Sequence, residues 1–505
     1  MGIRVYNTLT RQKEEFRPED PNNVRIYVCG ITPYAASHVG HSRFLILWDA
    51  IRRYLEYKGY GVSMVQNFTD VEDKLIEAGR STGRAPMDIA KKHIREFTQA
   101  ARQLGIKPAE FQPRASEHMH EIVDMIKVIM QRGHAYEVDG DVYFSVGSFE
   151  GYGKLSGRDA EDVMAGARIE VDRRKRDPRD FALWKAARPG EPSWPSPWGR
   201  GRPGWHIECS AMSLEYLGEN FEFHGGGTDL IFPHHENEIA QSEAYLGCPR
   251  FAKYWVHHEM LSLKQEKMSK SIGNIVDLRY VLDRFPGAAV RFFVLSTHYR
   301  KILEFSMELL EEATKGWQRL QKSAADASAY LWAIGWRKPR RPTQPDEQVE
   351  SFRKRFEDAM DDDFNTAQAS GVVFEISRAV NSLQSEIANE QSGAKLNTLG
   401  EMVDLLFVLG GVLGIVRKPR FYPKKMLGEV TPVYEKWTGK KLEQAGTSRD
   451  RLVRAVDELA ALRDEARLRK DWAVSDGIRK ELAQAGIRID DSRHGSRWRP
   501  EVSDA

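Results

Sequence analysis

Cysteine is scarce: Cys29, Cys209 and Cys248 are the three in 505 residues, odd in number and far apart. This argues against a disulfide framework and for a reducing compartment, where each thiol is free or metal-bound. No apolar run is long enough to cross a bilayer. The longest near-continuous one, Leu405 to Val416, is interrupted by Gly410, Gly411 and Gly414 and reads as the buried end of a helix pair. The first residues, Met1 to Tyr6, lack the apolar core of a secretory signal, and Tyr6 stands where a myristoylation signal wants Ser or Thr. A cytoplasmic, membrane-free protein is expected. Charge of one sign is not in excess either: 75 Lys and Arg face 73 Asp and Glu, for a net +2. That excludes a general basic coating for DNA and a highly charged disordered tail, so any polyanion must be met by local patches. Internal repeats, long low-complexity segments and a Walker A string are all missing. What is abundant is apolar material, 41% of the chain, enough for several cores and three or more domains.

Along the chain, Arg25 to Cys29 is a short β-rich run ending at Gly30, followed by helical periodicity from about His38 to Tyr57. A second apolar run, Gly61 to Phe68, leads into Thr69 to Ala78, and Phe221 to His224 and Tyr254 to His258 are further strands beside helical segments. Strands alternating with helices predict an α/β protein with a doubly wound parallel sheet. Residues 126–204, with a hairpin at Ala135 to Val146, a basic run at Arg173 to Arg176 and a Pro/Trp-rich stretch, read as an insertion into that sheet domain. The expected division is 1–125 and 205–258 for the two halves of the sheet domain and 259–310 for the segment that follows. An α-helical bundle occupies 311–425, broken by a basic, proline-bearing stretch at Arg337 to Pro342 and ending in a basic linker, Arg417 to Lys425. A small C-terminal α+β domain fills 446–505, with two helices between Asp450 and Ala485 and a short hairpin from Ile487 to Trp498.

Two strings carry chemistry. His38-Val39-Gly40-His41 follows the first strand at the mouth of a helix. Histidines three apart share a helix face, and a helix N-terminus favours phosphate, so two imidazoles can bracket a triphosphate. Taken alone the string is weak and reads more readily as ordinary helix-surface histidines. Lys267-Met268-Ser269-Lys270-Ser271 lies in a turn-prone stretch. Two ammonium groups on a flexible loop can close over a leaving pyrophosphate and stabilise its developing charge, although lysine-serine runs are common solvated loops. Two other strings lead nowhere. Gly79 to Gly83 matches GxSxG but follows a charged helical segment instead of a strand and reads as a loop. His235-Glu236 lacks the second histidine of a metalloprotease helix.

Occurring in this order, more than two hundred residues apart, the two strings are the signature pair of class I aminoacyl-tRNA synthetases. Along nearly its whole length the chain resembles the cysteinyl-tRNA synthetases. The likeness rests also on Tyr27 to Thr32, Asn67 to Asp70, Gly204 to Met212, His224 to Asp229 and Phe232 to Glu238. The resemblance implies a Rossmann-type catalytic domain, a tRNA stem-contact region at 259–310, tRNA binding by the helical bundle, and a C-terminal anticodon-binding domain.

On the residues alone, Cys29 ends a strand, Cys209 opens a helix, and His234 and Glu238 have the i, i+4 spacing of one helical face. Two thiolates, an imidazole and a carboxylate form a chemically sensible tetrahedral zinc set, while each residue singly reads as inert core. The resemblance implies that all four bind one zinc per chain. It also assigns ATP, with Mg²⁺, to His38, His41, Gly226, Asp229, Lys267 and Lys270, with the two histidines and two lysines as the catalytic groups. Thr69, Trp205 and His206 become contacts for L-cysteine, and Arg467, Asp476 and Asp491 contacts for the anticodon of tRNA(Cys). Cys248, beside Pro249, reads as structural. A ligase acting as a monomer is expected, activating L-cysteine with ATP and charging tRNA(Cys). The rivals are a related ligase joining cysteine to a small amino sugar, which would not need the helical and C-terminal portion, and an inactive tRNA-binding protein, which would have lost a motif residue.

Overall fold

The computed structural model describes residues 2–158, 173–263, 266–267, 276–337, 346–389, 393–492 and 495–501. Its centre is a four-stranded sheet of β1 (Val24–Ile31), β2 (Val62–Phe68), β3 (Phe221–Gly227) and β4 (Ala252–His258). The spatial order is β4-β3-β1-β2, and all three pairings are parallel. β1 crosses to β2 through α1 (Val39–Tyr57), while β3 crosses to β4 in the other direction through α3 (Glu236–Leu246). The order therefore reverses between β1 and β3, and in such sheets the crevice at the carboxyl ends of the two central strands is where ligands bind. Cys29 and Gly225 to Gly227 lie at those ends.

Both faces of the sheet are covered, which is why its strands read as unbroken apolar runs instead of alternating ones. Trp48 of α1 presses its indole against Gly225, leaving no room for a Cβ there. Tyr27, Cys29 and Val65 share a buried cluster with Cys209 and Met212 of α2 (Trp205–Leu217). The alternation of a strand puts Tyr27 and Cys29 on the same face. The segment before α2 forms its own antiparallel sheet of Ala135–Val138, Asp141–Phe144, Phe181–Ala186 and Gly201–Pro203. It packs on the helix Met119–Gln131 through Ile122, Ile126, Val142, Phe144 and Trp184.

The described chain forms two compact units, residues 1–314 with 358–367, and residues 315–357 with 368–505. In the second, the helices Ser448–Leu468 and Trp472–Gln484 and the hairpin Ile487–Ser492/Gly495–Pro500 share a core of Leu452, Val456, Leu459, Ile478, Leu482, Ile487 and Trp498. A further helix, Pro423–Thr438, enters the same core through Leu427, Val430 and Tyr434. The helix Gly393–Leu413 is long and apolar enough to cross a membrane, yet 56% of its most apolar stretch is buried inside the protein. Met402, Leu406 and Leu409 are among its core residues, while Val408 stands exposed. The expected break at Arg337 to Pro342 lies, from Lys338 on, outside the described residues.

One buried ion pair locks α1 to α4 (Gly287–Leu295): Asp49 Oδ2 lies 2.7 Å from Arg291 Nη1, with both side chains 1% exposed. Burial pushes the Asp49 carboxyl up, but Arg291 and Arg53 outweigh it and hold it below the ordinary value. Asp49→Ala strands Arg291 in the interior and should cost about 3–5 kcal/mol of stability, read as a lower urea midpoint at neutral pH. The sign in acid follows from the depressed pKa. The contribution is fully present above the unfolded carboxyl value of 3.8 and is lost as pH falls through the lower folded one. The variant's deficit should therefore narrow in acid, and a midpoint unchanged at pH 7 would show that the pair contributes nothing.

Candidate metal centre and nucleotide site

Cys29 reaches the crevice from a bulge in β1. Cys209 sits one turn into α2, and His234 and Glu238 span the junction of the turn Ile231–His235 with α3. Their donor atoms lie within 4.8 Å of one another, and all four residues are buried. Cys29 Sγ is 3.9 Å from Cys209 Sγ and 3.5 Å from Glu238 Oε1, and His234 Nε2 is 3.0 Å from the same oxygen. Donors bound tetrahedrally at about 2.0–2.3 Å from one ion would stand roughly 3.3–3.8 Å apart, so the set needs little movement to close on a cation. A second grouping, Cys29, His224, His235 and Glu238, meets the same distance limit. In it, however, His224 Nε2 already holds Glu238 Oε2 at 2.9 Å and His235 Nδ1 lies 2.7 Å from His257 Nε2. The first grouping also offers two soft sulfur donors against one. His224 and His206, whose Nδ1 is 2.9 Å from His234 Nδ1, stand behind the donors and fix their orientation.

The cluster's protons tell the same story. Burial pushes Glu238 up, yet His224 and His234 pull it down to about 2. His234 is lowered by burial and raised further by Glu238 and Cys209, reaching about 10. A hydrogen bond from Cys29 brings Cys209 to about 6 against the opposing effect of burial, while burial and Cys209 drive the Cys29 thiol well above its ordinary value. Burial also keeps His235 and His257 neutral, the latter at about 3. A buried carboxylate and thiolate thus demand positive charge, which His234 supplies by holding a proton.

Around this centre, Trp205 opens α2 and lays its ring 4.4 Å from that of His234, while 37% of the residue remains exposed. It forms a wall with one face toward His234, and the His206 ring lies 5.1 Å from each of the two. Thr69 is buried just past the end of β2.

At the start of α1, the rings of His38 and His41 stack with centroids 3.9 Å apart, and His41 Nδ1 accepts the His38 N–H at 3.0 Å. The same turn is tied to the chain just after the lysine motif. Val39 N donates to Val276 O and Leu278 N to Ser37 O, each at 2.9 Å. Lys267 places its backbone in a two-residue strand beside Leu261–Leu263, whereas Met268 to Ser271, with Lys270, lie outside the described residues. The glycine triplet has internal reasons to be glycine. A Cβ would meet Trp48 at Gly225, the His235 ring at Gly226 and Asp229 Oδ1 at Gly227. Asp229 itself lies in the short turn Thr228–Leu230, beyond β3. In the second unit Arg467 and Asp491 form an ion pair that buried Arg463 joins at 2.6 Å, while Asp476 stands exposed on the helix Trp472–Gln484.

Residues 15–315 match the family model for the tRNA synthetases class I (C) catalytic domain, and residues 355–417 match that of the DALR domain. A cysteine–tRNA ligase of Heliobacterium modesticaldum is 47% identical over 99% of this chain and 100% of its own length. The chain belongs to the cysteine–tRNA ligase family. An archaeal member, from Thermococcus onnurineus, is 43% identical with 99% of both chains covered. Among solved structures, Mycobacterium tuberculosis methionyl-tRNA synthetase with methionyl-adenylate has a TM-score of 0.55 at 17% identity, covering 77% of this chain and 90% of that one. This likeness speaks to the class I fold.

Within this member of the family, three buried histidines escaped the reading of the sequence: His224, His235 and His257. Cys29 Sγ lies 3.4 Å from His235 Nε2, and His257 Nδ1 is 2.8 Å from Thr8 Oγ1. Their signal was present in the doubled His234-His235 and His257-His258 strings, where histidine is dense in otherwise strand-like or turn-like sequence. Cys248, by contrast, lies away from the cluster in a partly exposed turn, with Arg250 Nε donating to its sulfur at 3.4 Å.

Proposed function

We propose that this protein joins L-cysteine to tRNA(Cys) in two steps. The cysteine carboxylate attacks the α-phosphorus of ATP in line and displaces pyrophosphate, giving cysteinyl-adenylate. The terminal 2′-hydroxyl of the tRNA then takes the cysteinyl group and releases AMP. His38, His41, Lys267 and Lys270 stabilise the phosphate charge of the first step, with Mg²⁺ accompanying ATP. Catalysis is therefore chiefly positioning and electrostatics. Asp229 and the backbone at Gly226 serve the nucleoside side, and Thr69, Trp205 and His206 the amino acid.

The observation that carries the reading is the convergence of Cys29, Cys209, His234 and Glu238 at the switch point of the sheet, on the same strand ends as the nucleotide motif. Two sulfurs, one nitrogen and one oxygen at near-tetrahedral separations fit zinc, and these four residues would hold it. When bound, zinc would supply a Lewis-acid centre able to expand to a fifth donor, where a thiolate binds well and a hydroxyl competes poorly. The protein's part is to keep Cys209 and Glu238 ionised, hold His234 by His206 and Glu238 by His224, and close the site with Trp205.

An amino-sugar ligase has no need of the helical and C-terminal portion, yet the similarity to the Heliobacterium modesticaldum ligase covers 99% of this chain. The test is made on the full-length protein. Cysteine-dependent ATP–pyrophosphate exchange and charging of tRNA(Cys) should both proceed. The double variant Arg467→Ala/Asp476→Ala should lower charging by about 10- to 100-fold while exchange stays within twofold. Exchange without any charging of tRNA would return the protein to the small-molecule reading.

A further inference from the structure

β1 and β2 pair Val28 with Gln66 and Ile31 with Phe68, so three steps along β1 face two along β2. The extra residue falls at Cys29-Gly30, a bulge of the kind that breaks the ladder and re-aims a side chain. The side chain of Asn67 spans the break. Its Oδ1 accepts the Gly30 N–H at 2.8 Å, and its Nδ2 donates to Thr69 Oγ1 at 3.2 Å. Asn67 is 0% exposed. The strands are pressed so closely that a Cβ on Gly30 would stand 1.6 Å from the Asn67 carbonyl oxygen. Thr69 N closes the arrangement on Ile31 O at 3.1 Å.

We propose that Asn67 is a positioning residue for the amino-acid substrate: it locks the bulge that aims the Cys29 thiol and sets the polarity of the Thr69 hydroxyl. A hydroxyl carries one donor and two acceptor sites. Thr69 Oγ1 accepts from Asn67, and among the described residues its own hydrogen is donated to no protein acceptor. That hydrogen is directed to the acceptor the substrate brings, a carboxylate oxygen. One buried amide therefore couples the thiol end of the site to its carboxyl end. The inference rests on the reading of Thr69 as a cysteine contact and Cys29 as a metal ligand. A simple strand clamp would need only the acceptor half of the amide, which separates the two roles experimentally.

In the full-length protein, Asn67→Asp keeps the acceptor for Gly30 and removes the donor to Thr69. In pyrophosphate exchange it should raise KM for cysteine about 10-fold, as a lost oriented hydrogen bond does, with KM for ATP within twofold and bound metal unchanged. Thr69→Val should raise the cysteine KM comparably, and Asn67→Asp should add nothing on that background. Asn67→Ser, smaller and reaching neither partner, reads the same KM split should the aspartate variant fail to accumulate. It should also release metal to a chelator about 10-fold faster. An unchanged cysteine KM in both Asn67 variants, beside a raised one in Thr69→Val, overturns the inference alone. An unchanged value in Thr69→Val removes Thr69 from the substrate site and the inference with it.

Discussion

Cys209→Ser should lose its bound metal and lower kcat/KM for cysteine in pyrophosphate exchange by at least about 1000-fold, while the unaltered protein should prefer cysteine to serine by about 10⁴ or more. Shape cannot produce such a preference. A pocket without a specific bond to the distinguishing group rejects a near-isostere by only about 10- to 200-fold, whereas a site built around such a bond reaches about 10⁴–10⁵. Cysteine and serine differ by a single atom, so the distinction must come from what meets that atom. The buried, near-tetrahedral set of Cys29, Cys209, His234 and Glu238 is the group able to make it. Cys209 is the informative position because its thiol already falls to about 6 through its bond from Cys29 and its neighbour His234, making it the readier of the two sulfurs to ionise. Serine in its place is nearly the same size but does not ionise, leaving Glu238 and His234 to pair with each other. The variant should fold, since Cys209 packs as a small buried residue beside Met212 and Tyr27. Metal content by elemental analysis and exchange with each amino acid would decide the matter. Retention of cysteine preference in a metal-free variant would detach selectivity from the cluster.

How legible this site is in the sequence depends on which contacts are local. His234 and Glu238 lie four apart across a helix start and can be placed on one face by spacing alone. Cys29 and Cys209 are joined only by the neighbourhood of β1 and α2, a long-range contact that no spacing rule supplies; there the family resemblance did what periodicity cannot. His224 and His257 are harder still. They face the site because β3 and β4 pair in parallel with Trp255 opposite His224 and His257 opposite Gly226, a register that cannot be read before the strands are paired. The alternation of strands and helices is strong enough to identify the doubly wound sheet, and the Ile487 hairpin is equally plain from its alternating residues. Misreadings occur where local signals compete. Gly79 to Gly83 resembles a loop by composition, but Leu75 and Ile76 bury one face, Glu72 caps the start, and the segment is the end of the helix Asp73–Thr82, with Gly83 at φ +66° closing it. Pro423, Lys424 and Lys425 resemble the end of a basic linker. Pro423 instead occupies the first turn of a helix, where its missing N–H costs nothing, and Leu427, Val430 and Tyr434 supply the buried face.

Lys270→Ala should lower adenylate formation by about 100- to 1000-fold, the range for removing one preorganised group from a developing anion, with KM for cysteine within twofold. The argument starts from the ends of the motif. On one side the backbone of Lys267 is paired to Ser262 in the strand that follows β4. On the other, Val276 and Leu278 are hydrogen-bonded to the turn carrying His38 and His41. Lys270 stands three residues after Lys267 and six before Val276 in the chain, so these two anchors bound how far it can lie from the turn carrying His38 and His41. Cys29, Thr69 and Trp205, the residues proposed to meet the amino acid, belong to other elements, and the variant should leave them intact. In the proposed role the lysine's charge opposes the negative charge gathered on pyrophosphate as it leaves, a charge greater in the transition state than in bound ATP; kcat should therefore fall more than substrate binding. Transfer of cysteine from preformed adenylate to tRNA releases AMP and no pyrophosphate, so that step, measured in a single turnover, should fall by less than tenfold. Lys270→Arg, which keeps the charge on a differently shaped head group, should recover part of the loss. Equal damage to both half-reactions would mean that Lys270 supports the fold or the tRNA, and unchanged exchange would remove it from phosphate stabilisation altogether.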